Sequence, residues 1–149
     1  MDVCADEAAE VKDGEQAFVV ESGRVKVFEG GTATVLYGGT ATVFDGGQAG
    51  VLYGGYARVL AGGKAAVSEG GSATVREGGL ALIRRGGDAM VLAGGEALVL
   101  AGGEAIVLDG GAVYVEAGGK AEVHPGGSAH GDGEINYIEW PNDDLAPSI

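Results

Sequence analysis

Cysteine, histidine and tryptophan are scarce in this chain, which has one, two and one of them in 149 residues. Cys4 is the only cysteine, so no disulfide can form within the chain, and an oxidising compartment is neither required nor excluded. The sequence also lacks an apolar run long enough to cross a bilayer and a basic start followed by an apolar segment. We therefore expect a single domain with no membrane partner.

Lysine and arginine are also few, at 9 against 22 acidic residues, which gives a net charge of −13. Because no basic stripe is visible, direct binding of DNA or RNA is not expected. The acids are concentrated at the ends: residues 1–29 hold eight acids and three bases, and residues 134–149 hold four acids and no base. Mimicry of a nucleic-acid backbone requires a continuous acidic stripe, so it ranks below the other hypotheses.

Glycine is abundant, at 31 residues, and it is periodic. From Gly30 to Gly133 the phrase G-G-x-A-x-V-x-x occurs thirteen times, and we number its positions 1 to 8 from the first glycine. Position 4 is alanine in twelve copies, position 6 is valine in eleven, and positions 3, 5, 7 and 8 vary. This regularity indicates an ordered repeat structure rather than the disorder that glycine-rich sequences usually form.

The spacing of the alanine and the valine predicts a strand. Side chains two residues apart point to the same side of an extended chain. On a helix they would lie about 200° apart, and the pattern would drift because eight is not a multiple of 3.6. Each phrase is therefore predicted to be a short strand with an inward Ala-Val pair, followed by a corner that uses the backbone freedom of glycine.

Strands that recur at a fixed period with tight corners are typical of a solenoid. A coil of three phrases would form a triangular prism, but one alanine and one valine per side are too small to fill it at protein packing density. We favour two phrases per coil. The predicted fold is all-β: a β-solenoid, flattened into a two-sheet β-roll with 16 residues per coil, about seven coils and short terminal caps.

The phrase Gly38-Gly39-Thr40-Ala41-Thr42-Val43 resembles the glycine-rich repeats of AIDA-type autotransporter passenger domains. Its rhythm is also similar to that of the calcium-binding β-rolls of secreted toxins. Both resemblances imply a solenoid built from short strands. Calcium itself is not expected, because position 5 is never aspartate in this sequence.

The two ends depart from the phrase, and three segments are predicted within the single domain. Residues 1–13 are predicted to be a capping helix, because Cys4, Ala8 and Val11 would share one helical face and Gly14 suits a C-terminal stop. The repeat array then covers residues 14–133, with the first coil at residues 14–29. Residues 134–149 are predicted to be a cap strand and an acidic tail.

Two sets of outward side chains are candidates for binding. Tyr37, Tyr53, Tyr56 and Trp140 are candidates for contact with a protein partner, although stacking between coils or packing in the cap is the favoured explanation. Apolar side chains recur outward in the second half of the array, which predicts self-association into a homo-oligomer, with a docking surface for another protein as the alternative. This second set contains Leu82, Met90, Leu92, Leu98, Leu100, Ile106, Leu108 and Tyr114.

No catalytic, cofactor or metal site is predicted. His124, His130 and Asp132 are the nearest approach to a metal cluster, but His124 should face the opposite sheet, and a closed site needs three or four converging ligands. The double glycines are not followed by the lysine and serine of a phosphate loop. Nothing in the sequence suggests an enzyme.

The sequence favours a non-enzymatic β-solenoid that acts through protein–protein contacts. One form of this hypothesis is a phage- or host-encoded inhibitor that blocks a basic protein surface. The alternative is a structural repeat module of an adhesin, fibre or phage tail tip. We expect a cytoplasmic location if the chain is complete, and a cell-surface or virion location if it is a fragment of a longer protein.

Overall fold

The structure is a computed structural model that describes residues 2–3 and 7–138. It contains eighteen short strands and, within these residues, no helix. Odd-numbered strands form one nine-stranded parallel sheet, sheet A, and even-numbered strands form a second, sheet B. The prediction of a flattened two-sheet solenoid is confirmed, because the chain alternates between the two sheets at every phrase.

The strands of sheet A are each two to four residues long and are separated by sixteen residues along the chain. They are β1 (Asp2–Val3), β3 (Gln16–Val19), β5 (Thr32–Val35), β7 (Gln48–Val51), β9 (Lys64–Val67), β11 (Leu80–Ile83), β13 (Glu96–Val99), β15 (Ala112–Val115) and β17 (Ser128–His130). The strands of sheet B have the same period until the last one. They are β2 (Ala8–Val11), β4 (Arg24–Val27), β6 (Thr40–Val43), β8 (Tyr56–Val59), β10 (Ser72–Val75), β12 (Asp88–Val91), β14 (Glu104–Val107), β16 (Lys120–Val123) and β18 (Glu134–Tyr137).

Alanine at position 4 and valine at position 6 fill the space between the sheets. In β10, for example, Ala73 is 3% exposed and Val75 is fully buried, whereas Ser72 and Thr74 face outward. Among the described residues, no polar or charged residue is buried. Each fully buried valine contributes roughly 1.5–3 kcal/mol relative to exposure. The dry Ala-Val interior predicted from the spacing is therefore confirmed.

The corner occupies positions 7, 8, 1 and 2 and is a four-residue turn. In one example, the amide of Gly71 donates to the carbonyl of Ser68 at 2.8 Å, and Gly70 between them has a φ of +78°. A positive φ at the third turn residue is the requirement that selects glycine in a type II turn. The amide of Gly70 also donates to the carbonyl of Gly86 at 3.0 Å, so hydrogen bonding between coils continues around the corner.

The second glycine of each pair answers a different requirement. A Cβ atom at Gly71 would lie 2.4 Å from the carbonyl oxygen of Val51, in the preceding coil. Real Cβ atoms do not approach oxygen so closely, so position 2 is glycine because two backbones meet there. Backbone angles, the reason expected from the sequence for both glycines, explain only the first.

The helical cap predicted for residues 1–13 is wrong where the structure describes it. Ala8–Val11 is strand β2, which pairs in parallel with β4. Val11 is buried and occupies the place that valine at position 6 has in the later phrases. Asp13 and Gly14 then form a corner like those that follow, since the amide of Glu15 donates to the carbonyl of Lys12 at 2.8 Å. The solenoid thus begins before residue 14, because the free backbone edge of β4 pairs more favourably with a strand than with a helix.

At the other end, Glu134–Tyr137 is a strand that covers the last coil, as its composition predicted. The number of residues between paired strands is smaller there, because Gly131 to Gly133 replace a full corner. Lys120 therefore lies opposite Glu134. Beyond residue 138, the acidic tail predicted for the C terminus lies outside the described residues.

Candidate protein interface

The outer surface of each sheet is built from positions 3 and 5 of the phrase. Parallel pairing without slippage places each of these side chains directly beside its counterpart sixteen residues away, for example Leu82 beside Leu98. Neighbouring strands are about 4.8 Å apart, so the side chains form columns along the solenoid. A function carried by this surface therefore depends on what the columns contain.

Sheet A has an apolar region in its second half. Leu82, Leu98 and Tyr114 form one continuous column, and Leu80 lies at position 3 beside it. Leu80 and Tyr114 are 42% and 50% exposed, while Leu82 and Leu98 are half-buried by their neighbours. A shallow groove of about 320 Å³ runs over this region, with Leu80, Leu98 and Tyr114 in its lining. We call these four residues the sheet A apolar patch.

The other predicted self-association residues lie on three further surfaces. Met90 and Ile106 are neighbours at position 5 of sheet B, and are 41% and 37% exposed. Leu92, Leu100 and Leu108 occupy position 7, where the chain enters a corner, and they are half-buried. The set of eight thus divides between two faces and two edges, and the sheet A patch contains its only three-residue column.

The tyrosines predicted for partner binding do not form one ledge. Tyr37 and Tyr53 stack on one edge, with ring centroids 6.2 Å apart and ring planes 14° apart. Tyr56 belongs instead to the face of sheet B, where its hydroxyl hydrogen-bonds to that of Thr74. Trp140 lies outside the described residues. Binding of a partner by these residues stays a prediction.

The Tyr37 and Tyr53 corners are strained. Their φ angles are +43° and +41°, in the left-handed region that bulky residues avoid. Such a backbone costs on the order of 1–2 kcal/mol per residue. The ring stack and the hydrogen bond from the amide of Tyr37 to the carbonyl of Tyr53, at 2.9 Å, oppose this cost.

Two features of the first half were not predicted from the sequence. Phe28 and Phe44 stack on the opposite edge, with ring centroids 4.9 Å apart and ring planes 6° apart. Both are at position 7 and are sixteen residues apart, so the period would have revealed the stack. The second feature is a basic cluster on sheet B, where a groove of about 590 Å³ is lined by Arg24, Lys26 and Arg58 together with Thr40 and Thr42.

Sheet B also brings acids together. Asp88 and Glu104 are neighbours at position 3 of adjacent strands. Burial raises the pKa of the Asp88 carboxyl above its usual value, and the charge of Glu104 and a hydrogen bond to it raise that pKa further. Two like charges in adjacent strands destabilise a sheet, so the columns are not arranged for the stability of the single chain alone.

The two histidines belong to different sheets. His124 lies after β16 of sheet B, with Nε2 3.8 Å from a carboxylate oxygen of Glu122, and His130 ends β17 of sheet A. Within residues 7–138, no three His, Cys, Asp or Glu side chains converge as metal ligands would. The same residues contain no helix long and apolar enough to span a membrane.

Comparison with known proteins gives a likeness to solved structures. No family's sequence profile matches the chain, and no curated protein matches it either. The chain is similar to a crystal structure described as a TibC-catalysed, hyper-glycosylated TibA fragment, at 23% sequence identity. The similarity covers 91% of this chain and 77% of that one, with a TM-score of 0.40.

Proposed function

We propose that this protein is a non-enzymatic assembly protein: a rigid β-solenoid that associates with further copies of itself through its flat sheet faces. The observation that carries the proposal is the sheet A apolar patch. Its four side chains stand on a rigid backbone in fixed register, so little conformational entropy is lost when they are covered. Three of them form one continuous column with Leu80 beside it, and this arrangement distinguishes the patch from the scattered apolar residues of an ordinary surface.

The interior supports a binding role rather than a catalytic one. Enzymes hold substrates in concave pockets where a few polar and titratable groups converge. Here the space between the sheets is filled by alanine and valine. The variable side chains therefore all lie on the outer surface, where contacts with another protein are made.

The test is the mass of the protein in solution, measured by sedimentation velocity over a range of concentrations. Leu98→Asp places a charge in the middle of the patch, and we expect it to remove the largest species that the wild-type chain forms. Thr34→Asp is the matched control, because Thr34 is also a half-buried position-5 residue of sheet A but lies in the first half. We expect Thr34→Asp to assemble as the wild type does.

Thermal melts of both variants show whether each is folded before masses are compared. Equal assembly by Leu98→Asp and the wild type would reject the patch as the contact. A wild-type chain that stays monomeric at every concentration would reject self-assembly altogether, and capture of a different protein by this patch would then be the function to pursue.

The two finer hypotheses from the sequence make separate predictions. An inhibitor of a basic protein surface should bind one specific protein, and its affinity should fall steeply with added salt. A repeat module of an adhesin, fibre or tail tip should belong to a longer chain and form trimers or filaments. A pull-down from the source cell and determination of the full coding sequence distinguish the two.

A further inference from the structure

The outer face of sheet B is electrically polarised along the solenoid. Its first four strands, β2 to β8, carry three bases and one acid at the outward positions, and its last four, β12 to β18, carry four acids and one base. The middle strand, β10, is uncharged there, with Ser72 and Thr74. The bases of the first half are Arg24, Lys26 and Arg58, and the acids of the second half are Asp88, Glu104, Glu122 and Glu134.

This polarity is confined to one face. At the outward positions of sheet A from β3 to β17, the only lysine, arginine or acidic residues are Lys64 and Glu96. The charges of sheet B come from alternate phrases, so the linear sequence mixes them with the corner and sheet A residues between. The two-sheet fold separates them and places bases at one end and acids at the other.

The charges on this face are poorly satisfied within the chain. Among the described residues, Arg24, Lys26 and Arg58 make no salt bridge, although Glu10 is the in-register neighbour of Lys26. In the acidic half, Lys120 and Glu134 approach to 3.9 Å, both well exposed. Asp88 and Glu104 stand side by side, and burial and this neighbour raise the pKa of Asp88. A partner that brings the opposite charge would relieve both halves.

A second copy of the same face carries both of the required charges. We propose that two chains pair face to face through sheet B with their solenoid axes antiparallel, related by a two-fold axis that runs along the strands near β10. That operation lays the basic half of each copy over the acidic half of the other, twice per dimer. A parallel pairing lays bases over bases and acids over acids, so the charges select the antiparallel arrangement.

The inference rests on the proposed self-assembly but uses a different contact. The sheet A patch is apolar and unpolarised, whereas the sheet B contact is mainly electrostatic, with Met90 and Ile106 as its apolar residues. Together the two faces would join copies into stacks. To examine sheet B alone, all variants below are made in the Leu98→Asp background, which we expect to leave a dimer.

Charge reversal tests the pairing. Arg24→Glu with Lys26→Glu and Arg58→Glu makes the whole face acidic, and Asp88→Lys with Glu104→Lys and Glu122→Lys makes it basic. We expect each triple variant alone to dimerise at least about 100-fold more weakly, since opposed like charges cost several kcal/mol. An equimolar mixture should form a heterodimer that weakens as salt is added.

A matched control separates the location of charge from its amount. A control variant combines Arg76→Glu, Arg84→Glu and Arg85→Glu. It makes the same change in net charge as the acidic face variant, but these residues lie at corners rather than on the face. It should dimerise like its parent. The inference would be overturned if either face variant alone dimerised as strongly as its parent. It would also be overturned if the mixture stayed monomeric while both chains were folded. A monomeric Leu98→Asp parent would overturn it too, while leaving the sheet A contact intact.

Cross-linking tests the orientation, in chains that also carry Cys4→Ser. Thr74 lies in β10, near the proposed axis, and Thr42 is an equivalent position-5 threonine two strands away. Packed sheets are about 10 Å apart, so a short bis-maleimide should join Thr74→Cys to its copy. Two copies of Thr42→Cys should be about 19 Å apart along the solenoid axis and stay unlinked. Linking at both sites would indicate parallel pairing, and linking at neither would reject this face as the contact.

Discussion

The two halves of the solenoid have the same interior and different exteriors. In β6, buried Ala41 and Val43 alternate with outward threonines, and in β14 Ala105 and Val107 are also buried and alternate with outward Glu104 and Ile106. Because side chains alternate along a strand, positions 2, 4 and 6 can specify the fold while positions 3 and 5 change freely. The first half thus carries threonines and bases, and the second half carries leucines and acids, on one backbone.

The edges differ between the halves as well. Stacked pairs, Phe28 on Phe44 and Tyr37 on Tyr53, line the two edges of the first half. The corresponding corners of the second half carry leucine and alanine, such as Leu92 and Ala101. We expect the first half to be stabilised at its edges, and the second half to depend more on contacts with another chain.

The largest effect should come from a charge placed in the shared interior. Val75→Asp and Val91→Asp each bury a carboxylate without a partner, which costs several kcal/mol and should unfold the protein. Thr74→Asp, one residue from Val75 but facing outward, should fold. Thermal melts followed by circular dichroism compare them, and similar melting temperatures for all three would show that the inward positions are assigned wrongly.

The corner glycines give the next largest effect. Gly71→Ala forces a Cβ to within 2.4 Å of the Val51 carbonyl oxygen, so we expect a loss of about 3 kcal/mol in the free energy of unfolding. Gly50→Ala is the control, because a Cβ at Gly50, in β7, would meet no atom within 4 Å. It should be neutral or stabilising by up to about 1 kcal/mol. Urea denaturation measures both, and an equal loss would contradict close approach as the reason for the second glycine.

A smaller effect tests the difference between the edges. Phe44→Leu removes the stack with Phe28 but keeps an apolar side chain, and we expect a loss of about 1 kcal/mol. Leu92 and Leu108 occupy the same edge positions in the second half, one coil apart. Leu92→Phe combined with Leu108→Phe should install an equivalent stack and raise the melting temperature. No gain from the transplanted pair would mean that the two halves of this edge differ in more than their side chains.

The smallest effect concerns the pH dependence of the acidic half. Asp88 has Ser72 and Glu104 as its in-register neighbours, and its pKa is raised above the usual 3.8. The folded chain therefore holds this proton more tightly than the unfolded chain, and stability falls as the pH rises from 3.8 through the raised pKa. Asp88→Asn should remove that fall and stabilise the protein at pH 7 by less than about 1 kcal/mol.

Glu96→Gln is the control for that measurement. Glu96 lies on sheet A between Leu80 and Ala112, with no charged in-register neighbour. The unfolding free energy is measured from pH 3 to pH 7. Its dependence on pH should differ from that of the wild type in the Asp88 variant and match it in the Glu96 variant. The same pH dependence in both would assign the effect to net charge rather than to the Asp88–Glu104 pair.

The candidate surface was only partly predictable. The period alone placed Leu82, Leu98 and Tyr114 on one face and Met90 and Ile106 on the other, and the pairing of the strands confirms both columns. It also predicted the stack of Tyr37 on Tyr53. Tyr56 was predicted to act with these two, but the corner between Tyr53 and Tyr56 turns Tyr56 onto sheet B.

The period, the inward positions and the two-sheet cross-section can be predicted from the sequence, because they follow from alternation along a strand and from the volumes of alanine and valine. Which residues meet across coils depends on the folded structure. It assigned the second glycine to close approach of two backbones, converted Ala8–Val11 from an expected helix to a strand, and gathered separate charges into a polarised face. The physical reason is that each of these depends on a neighbour sixteen or more residues away, whose backbone or charge does not act until the coils are stacked.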